Sequence, residues 1–475
     1  MSTFRPAPAA SRSVSRRRRS RLISGVTALA AVALMVGVLA AGRHGDGASR
    51  TMDGTRGRGD SVPLVRAMVD SVVSAGGADG AACEVPVLRR DTLRDAQGRP
   101  FFLAPDAMLS RDGELFIAGQ NSVRVVLDAT GAIADAEQDH VLVAIRGRDG
   151  RVRTFARPEA IGSLSLTPVR AAALPDGRWA LLLTHRPAEL EAPIHSRVWL
   201  AVLGPSGWQS VVEVDTLAGV RILDGPSDPL AVRGERLLAA LPAIQNDEQY
   251  GAMLLEGTAE RPTLRFVPLP GAAYAAAVFA HGTDEPVLVA VHPDRTLRSS
   301  GNALHLHRLN RPGVPPQPLS DGGMHAIHAP RVAAVPGGFA VTATRHARRD
   351  RQAPVQAVHV QVPDDGTIVT HLLGEASGTV AHVQSDAAQL YTGFLEKTAS
   401  AGLSLSLHAF PGPGRGMRLA VNAVHAEVLG LVADGASDLI VATLHGDVSQ
   451  AQPVSLALTW ISPRCRSTSG AEDAR

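Results

Sequence analysis

A strand–turn–strand unit recurs seven times in this sequence and constrains its fold more than any other feature. Each copy has an apolar run with period-2 alternation, a tight turn and a second apolar run, a pattern typical of a β-hairpin. Repetition at a roughly constant period predicts a repeat architecture. The copies are Met108 to Ala118, Ala171 to His185, Leu230 to Pro242, Ala277 to His292, Val332 to His346, Val383 to Lys397 and Leu429 to His445.

The turn residues of these copies are spaced by 64, 57, 48, 55, 50 and 48 residues. Such a period accommodates one four-stranded blade. A second hairpin follows most copies, for example Arg197 to Val214, Leu304 to Pro318 and Gln356 to Leu373. Each period therefore predicts inner strands a and b, followed by outer strands c and d.

The seven-fold repeat over residues 83–465 resembles the seven-bladed β-propellers, which implies an all-β fold with blades around a central channel. Its Asp-Gly turns, such as Asp112-Gly113, are similar to the hairpins of TolB-like and quinoprotein-like propellers. The tryptophan repeats of the quinoproteins are missing, since the chain has four Trp in all. Eight blades stay an alternative, because Ser122 to Asp128 and His140 to Ala156 both have strand patterns in the first unit.

The last unit is one strand short. Its strand c is expected at Val454 to Ile461, and a polar tail (466–475) follows soon after. An unpaired strand edge is unfavourable, and propellers commonly close their ring with a terminal strand. We expect Val85 to Leu88 to supply it. This pairing would bring Cys83 and Cys465 together, and the two cysteines of an exported chain are expected to form a disulfide.

The N-terminus carries an export signal. Residues 1–21 contain seven arginines and no acid, and residues 22–42 contain no charge. A span of about 20 apolar residues crosses a bilayer, with its basic flank in the cytoplasm. We expect a cytoplasmic n-region (1–21), a transmembrane anchor or signal peptide (22–42), a flexible linker (43–82) and an extracytoplasmic domain. That domain is membrane-anchored, or secreted or periplasmic if residues 22–42 are cleaved.

Charge argues against nucleic acid as a partner. The chain has a net charge of +2, which becomes −5 without the seven N-terminal arginines. A mildly acidic domain lacks the basic surface that binds phosphate backbones. We expect a monomer that binds no nucleic acid and contacts the membrane only through residues 22–42.

Polar residues at the starts of the inner strands form the candidate site. These positions share one face with His185, His292, His346 and His445, which end second strands, and propellers commonly bind their partners on that face. We expect a non-catalytic site for a protein or glycan, with no cofactor. The binding candidates are Asp106, Arg170, Asp228, His328, Arg331, His382, His425 and Glu427.

Catalysis and metal binding have weaker signals. Arg170 and Arg331 resemble the carboxylate-binding arginines of sialidases, and the nucleophile would be Tyr250, Tyr274 or Tyr391. A sialidase-like or other exo-acting glycoside hydrolase is therefore the alternative function. His305 and His307 share one strand face, but no third ligand lies at a helpful local spacing. We expect these two side chains to lie at a solvated edge and the protein to hold no metal.

Overall fold

The computed structural model shows an all-β protein. It describes residues 71–74 and 83–463, except 99–102, 104, 120–121, 128–132, 140, 163–165, 167–168, 186–195, 216–217, 224–229, 270, 273, 294–301, 312, 320–324, 348–353, 366, 378–379, 385–388, 398–402, 411–415, 422–424, 436–437 and 446–454.

Contacts divide the chain into two compact units. Val65–Ser122 and His140–Arg475 form the unit that contains the blades, and Val123–Asp139 falls in the other. Each unit is described by itself.

Three short strands precede the first blade. They are β1 (Ser71–Ser74), β2 (Cys83–Glu84) and β3 (Val87–Thr92).

The first three blades follow the predicted a–b–c–d order. Blade 1 comprises β4 (Ala107–Arg111) and β5 (Glu114–Ala118), then, after the hairpin β6 (Ser122–Leu127) and β7 (Ile133–Asp139), β8 (Val141–Arg146) and β9 (Val152–Ala156). A 3-10 helix (Glu159–Ile161) leads to blade 2, with β10 (Arg170–Ala173), β11 (Trp179–His185), β12 (Arg197–Gly204) and β13 (Gly207–Val214). Blade 3 has a split inner strand, β14 (Val220–Ile222) and β15 (Ala231–Arg233), then β16 (Arg236–Gln245), β17 (Gln249–Thr258) and β18 (Pro262–Pro268).

The remaining four blades complete the ring. Blade 4 comprises β19 (Tyr274–Phe279), β20 (Pro286–Pro293), β21 (Asn302–Arg308) and β22 (Gln317–Pro318). Blade 5 comprises β23 (His325–Val335), β24 (Gly338–Ala347), β25 (Gln356–Pro363) and β26 (Val369–Glu375). Blade 6 comprises β27 (Ala381–Gln384), β28 (Leu390–Lys397), β29 (Leu403–Phe410) and β30 (Met417–Val421). Blade 7 has β31 (His425–Asp434), β32 (Asp438–His445) and β33 (Ser455–Ile461).

The ring closes without a gap. The first strands of successive blades contact one another in order, and β31 of blade 7 contacts β4 of blade 1. A buried apolar cluster fills each of the seven interfaces between neighbouring blades, including the one between blades 7 and 1. Period-2 alternation explains this arrangement: on β11, Leu181 packs towards blade 1, whereas Leu182 packs towards blade 3.

The seven repeats of the sequence are the a–b hairpins of these seven blades, as predicted. The turn of blade 1 shows why Asp-Gly recurs: Asp112 and Gly113 have φ angles of 51° and 73°. Both values lie in the left-handed region, which a two-residue hairpin turn requires and which Asp and Gly tolerate. The extra strand pattern in the first unit is the two-stranded hairpin β6–β7, inserted between strands b and c. The ring therefore has seven blades, and the eight-bladed alternative is wrong.

An N-terminal strand closes blade 7, as predicted, but it is Val87–Thr92 rather than Val85 to Leu88. β3 pairs antiparallel with β33, and Arg89 lies opposite Trp460. The residues just before β3 belong to blade 6, because β2 pairs parallel with β30 and the Val85 amide donates to the Arg418 carbonyl at 3.0 Å.

β1 pairs parallel with the outermost strand of blade 5, β26. It lies inside the segment predicted as a linker (43–82), whose other residues are outside the described part of the chain. In chain order, β1, β2 and β3 thus add to the outer edges of blades 5, 6 and 7.

Several predicted features lie outside the described residues: the arginine-rich terminus, the apolar segment 22–42, Cys465 and the tail. No helix in the described part of the chain is long and apolar enough to cross a membrane.

At the face that carries the a–b turns, arginines fasten neighbouring blades. Arg111 of blade 1 donates to the carbonyls of Leu174 and Arg178 in blade 2, each at 3.1 Å, and lies 4.2 Å from the ring centroid of Trp179. Arg233 of blade 3 likewise contacts Asp284 in blade 4, at 2.6 Å. We call this end of the propeller the turn face.

Candidate functional site

The opposite end of the propeller, where the inner strands begin and the second strands end, is the channel face. Arg170 opens β10 and His185 closes β11 at this face, as the repeat predicts. The candidate binding residues at this face differ in their contacts and in their burial.

Asp106 joins blades 1 and 2. Its amide donates to the Ala118 carbonyl at 2.9 Å, and its Oδ2 accepts a hydrogen bond from the Val169 amide at 3.0 Å. Arg170, the residue after Val169, is 4% exposed. A carboxylate that accepts a backbone amide from the next blade has a structural role, so Asp106 orders the start of β10.

His328 lies in an aromatic group between blades 4 and 5. Its ring stacks on that of His346, with centroids 4.6 Å apart and planes 2° apart, and meets Tyr274 edge-on at 5.8 Å. His328 Nδ1 is 3.4 Å from the Tyr274 hydroxyl. Burial raises the pKa of Tyr274 above its usual value of 10, so the phenol stays protonated.

Arg331 lies three residues further along β23, after a β-bulge in which Ala329 has a φ of 52°. Such a bulge re-aims the residues around it. The half-buried Arg331 faces Thr342, which faces His359, which in turn faces His371. One register row of polar side chains therefore crosses blade 5 from its inner strand to its outer strand.

The polar row continues into the interface with blade 6. His359 is fully buried, hydrogen-bonds through Nδ1 with the Thr392 hydroxyl at 3.1 Å, and stacks on Phe410 at 3.6 Å. His408, opposite Thr392 on β29, hydrogen-bonds with the Ser406 hydroxyl at 3.2 Å. Burial lowers the pKa of His371, so its imidazole favours the neutral state.

The other candidates are described less fully. Asp228 lies outside the described residues. His382 faces Thr392 in the backbone register, and His425 faces Leu444 across a bulge that also contains Glu427. The side chains of His382, His425 and Glu427 are outside the described part, so their roles stay predictions.

His305 and His307 do not lie at a solvated edge. Both are half-buried, and His292 from the neighbouring strand joins them. The Nε2 atoms of His292 and His307 are 2.9 Å apart, and the rings of His292 and His305 meet edge-on at 4.9 Å. Burial, together with His292 and His305, lowers the pKa of His307 from 6.5 to about 4. Among the described residues, no group of three or more His, Cys, Asp or Glu is arranged to hold a metal.

The sequence predicted the positions of some of these histidines but not their contacts with one another. The His359–His371 pair had a signal, because the two residues are equidistant from Asp365 in a predicted hairpin turn. The contacts of His292 with His307 and of His328 with Tyr274 had none, since they depend on twist and side-chain direction.

Comparison with known proteins assigns the chain to no family. No protein-family model and no curated protein sequence matches the chain. Polysaccharide lyase Uly1 is 10% identical, with 80% of this chain and 100% of that chain covered and a TM-score of 0.47. The β-propeller domain of the Trilobed protease from Pyrococcus furiosus is 10% identical (79% and 98% covered, TM-score 0.42). Trypanosoma rangeli sialidase is 10% identical (72% and 60% covered, TM-score 0.39). These likenesses carry no argument about activity.

Proposed function

We propose that the propeller binds a protein or glycan partner through its channel face and does not catalyse a reaction. The observation that carries this proposal is the group formed by Tyr274, His328 and His346. It presents stacked aromatic rings with polar edges where blades 4 and 5 meet. Such rings combine apolar contact area with hydrogen-bonding edges, a combination enriched at recognition sites.

The same group argues against the hydrolase alternative. A nucleophilic tyrosine needs a lowered pKa or an adjacent base. Burial raises the pKa of Tyr274, so His328, whose Nδ1 is 3.4 Å from the hydroxyl, would have to act as that base. Tyr391 is 8% exposed in the core between blades 6 and 7, and Tyr250 lies on the outer strand β17 of blade 3. Asp106 already accepts a hydrogen bond from the Val169 amide. A sialidase-like mechanism would require a second acid, Asp228 or Glu427, near Arg170 or Arg331.

One experiment separates the two functions. Wild type, His328→Ala and Tyr274→Phe are applied to an array of neutral and sialylated glycans, and to an envelope-protein extract followed by crosslinking. We expect His328→Ala to weaken retention about tenfold, which corresponds to about 1.4 kcal/mol. The control His281→Ala changes an exposed histidine in the a–b turn of blade 4, at the opposite end, and should bind as wild type.

Turnover is measured on the same preparations with fluorogenic sialosides and other glycosides. Release of the fluorophore above buffer, abolished by Arg331→Ala, would favour the hydrolase. Retention of all probes by His328→Ala at the wild-type level would contradict binding through this group.

We also propose that the propeller lies outside the cytoplasm, on the strength of the arginine-rich terminus and the uncharged segment 22–42. Recovery of residues 83–465 in the envelope or secreted fraction tests this placement. A full chain that is soluble in the cytosol would contradict it.

A further inference from the structure

A polar cavity of about 190 Å³ opens between blades 7 and 1. It lies at the turn face, beside the a–b turn residue Gly113, and so at the opposite end from the channel-face site. Its polar lining comes from Arg89, Arg146, Arg148, Ser110, Asp434 and Trp460.

Two of the guanidinium groups are fixed from one side. Arg89 on β3 and Arg146 on β8 donate through Nη2 to the same Asp91 Oδ2, at 2.8 and 2.7 Å. Both groups also lie over Trp460, 4.8 and 5.0 Å from its ring centroid. Each guanidinium has five N–H donors, and this arrangement uses one from each. The other donors have no acceptor within the part of the chain that the structure describes, so they are available for a ligand.

The pairing with the two arginines affects the pKa of Asp91. Burial alone would raise the pKa of Asp91, but hydrogen bonds from Arg146 and from the Thr92 amide, with the charges of both arginines, outweigh it and lower the pKa. The carboxylate is therefore ionised at neutral pH and neutralises one of the two positive charges.

The third guanidinium lies at the rim. Arg148 is in the exposed turn between β8 and β9, and its Nε donates to the Asp112 carbonyl in the neighbouring a–b turn. This contact holds the side chain beside the cavity, which it lines. It leaves both terminal nitrogens of Arg148 without a protein acceptor in the described part of the chain.

The charges of the cavity lining do not balance. Asp434, the one carboxylate in its described lining, accepts hydrogen bonds from Trp460 Nε1 at 2.9 Å and from the Ser110 hydroxyl at 3.3 Å. Its two oxygens are thus both used. Asp438, outside the lining, lies opposite Asp434 in the backbone register. Within the lining and Asp91, three arginines and two carboxylates leave one excess positive charge. Arg146 is only 5% exposed, so water screens that charge poorly.

We propose that this cavity binds a tetrahedral oxyanion, sulfate or phosphate, either free or as a monoester. Arginine forks match the oxygens of such anions geometrically and donate charge-assisted hydrogen bonds. The cavity has room for such an anion, because its volume of about 190 Å³ is several times the roughly 30 Å³ that one water molecule takes in the liquid. The ligand neutralises the excess charge and bridges β3, which closes the ring, to blade 1.

Calorimetric titration of the full chain tests the proposal. Inorganic sulfate, inorganic phosphate and glucosamine 6-sulfate are titrated at constant ionic strength, with acetate, a planar monoanion, as the control. We expect saturable binding of the tetrahedral anions and none of acetate. Tighter binding of glucosamine 6-sulfate than of sulfate identifies an ester as the ligand, whereas equal or weaker binding identifies the free ion.

The deciding variant is Arg148→Ala, with Arg151→Ala as its control. Both arginines lie in the same turn, but the Arg151 side chain is 90% exposed and, among the described residues, forms an ion pair with Asp149 alone. We expect Arg148→Ala to weaken sulfate binding at least about tenfold, as loss of hydrogen bonds to a charged group does, and Arg151→Ala to bind as wild type. Arg148→Lys keeps the charge without the fork and should give an intermediate affinity.

Three results would overturn the proposal: no saturable sulfate or phosphate binding by the wild type, equal binding of acetate, or equal loss in both alanine variants. Circular dichroism of each variant confirms that the propeller is folded. Because the cavity and the channel face are at opposite ends, His328→Ala should not change sulfate binding, which keeps this test independent of the proposed function.

Discussion

Histidines occur at three successive interfaces: between blades 3 and 4, between blades 4 and 5, and between blades 5 and 6. The other interfaces contain mostly aliphatic side chains. His359 is fully buried against Phe410 and Thr392, and His307 is held neutral by burial and by two neighbouring imidazoles. A buried neutral imidazole packs as an aromatic ring. Once protonated it becomes a costly buried charge. His307 and His371, whose pKa values burial lowers, therefore link the stability of this part of the ring to pH.

His371 gives a direct test of this link. Burial lowers its pKa below the usual 6.5, and its Nε2 is buried with no hydrogen-bond partner among the described residues. The side chains that face it are His359 on β25 and Phe410 on β29. The unfolded chain therefore takes up a proton at higher pH than the folded chain, and stability decreases as the pH falls below about 6.5.

We expect His371→Asn to flatten this decrease. Urea unfolding between pH 5 and 8 measures the free energy of unfolding of the wild type and the variant. The control His281→Asn, in an exposed turn, should follow the wild-type curve. Parallel pH profiles for wild type and His371→Asn would show that protonation of His371 is not coupled to folding.

At this scale the sequence predicted positions better than contacts. The starts of the inner strands follow from the repeat: Arg170 opens β10, and His328 is the fourth residue of β23. Their neighbours were not predictable. His328 meets Tyr274 from another blade, 54 residues away, and such a contact depends on sheet twist and rotamer choice, which period-2 patterning does not encode.

At the scale of elements, apolar alternation and turn residues predicted the a–b hairpin of each of the seven blades. The predictions were weaker where a strand is short or interrupted. The inner strand of blade 3 is split into β14 and β15, and only the second was recognised. The hairpin β6–β7 has strand patterning but no place in a blade, which made the first unit ambiguous. A pattern shows that a strand forms and does not show which sheet it joins.

Removal of β6–β7 should leave the propeller intact. The ends of strands b and c in blade 1 are already adjacent, since Ala118 faces Val143 and the Gly119 amide donates to the Leu142 carbonyl at 3.0 Å. A short Asn-Gly turn in place of residues 120–140 can therefore connect them. We expect a β-rich circular dichroism spectrum and a melting temperature within a few degrees of wild type.

The matched control removes the outer hairpin β8–β9 instead. This deletion takes away Leu142, Val143 and Ile145, which are at most 1% exposed, and it should abolish cooperative unfolding. If the β6–β7 deletion were equally damaging, the hairpin would have to be part of the folding unit.

At the scale of the whole molecule, closure depends on the N-terminal strands. The missing strand of the last blade predicted that an N-terminal segment returns to blade 7, because an unpaired edge is unfavourable. It did not predict that the same segment adds to blades 5 and 6. β1 and β2 extend sheets that already have four strands. No strand was missing from those blades, so nothing in the sequence predicted a fifth. The three strands β1, β2 and β3 thus pair with the outer edges of three consecutive blades.

A disulfide between Cys83 and Cys465 would complete this closure. Cys83 lies on β2 at the edge of blade 6, and Cys465 follows β33 of blade 7, four residues beyond Ile461 and outside the described residues. We expect exported protein to show no free thiol under denaturing conditions until it is reduced.

In the chain-entropy model, closing a loop of about 380 residues stabilises the fold by roughly 5 to 6 kcal/mol, an upper value because real bridges often contribute less. Cys465→Ser should therefore lower the melting temperature by several degrees. The seven interfaces between blades do not depend on the bridge, so the variant should keep its β-rich circular dichroism at room temperature, and Cys83→Ser should match it. Two free thiols in exported protein, or an unchanged melting temperature in both variants, would show that pairing of β3 with β33 and the core between blades 7 and 1 hold the ring closed unaided.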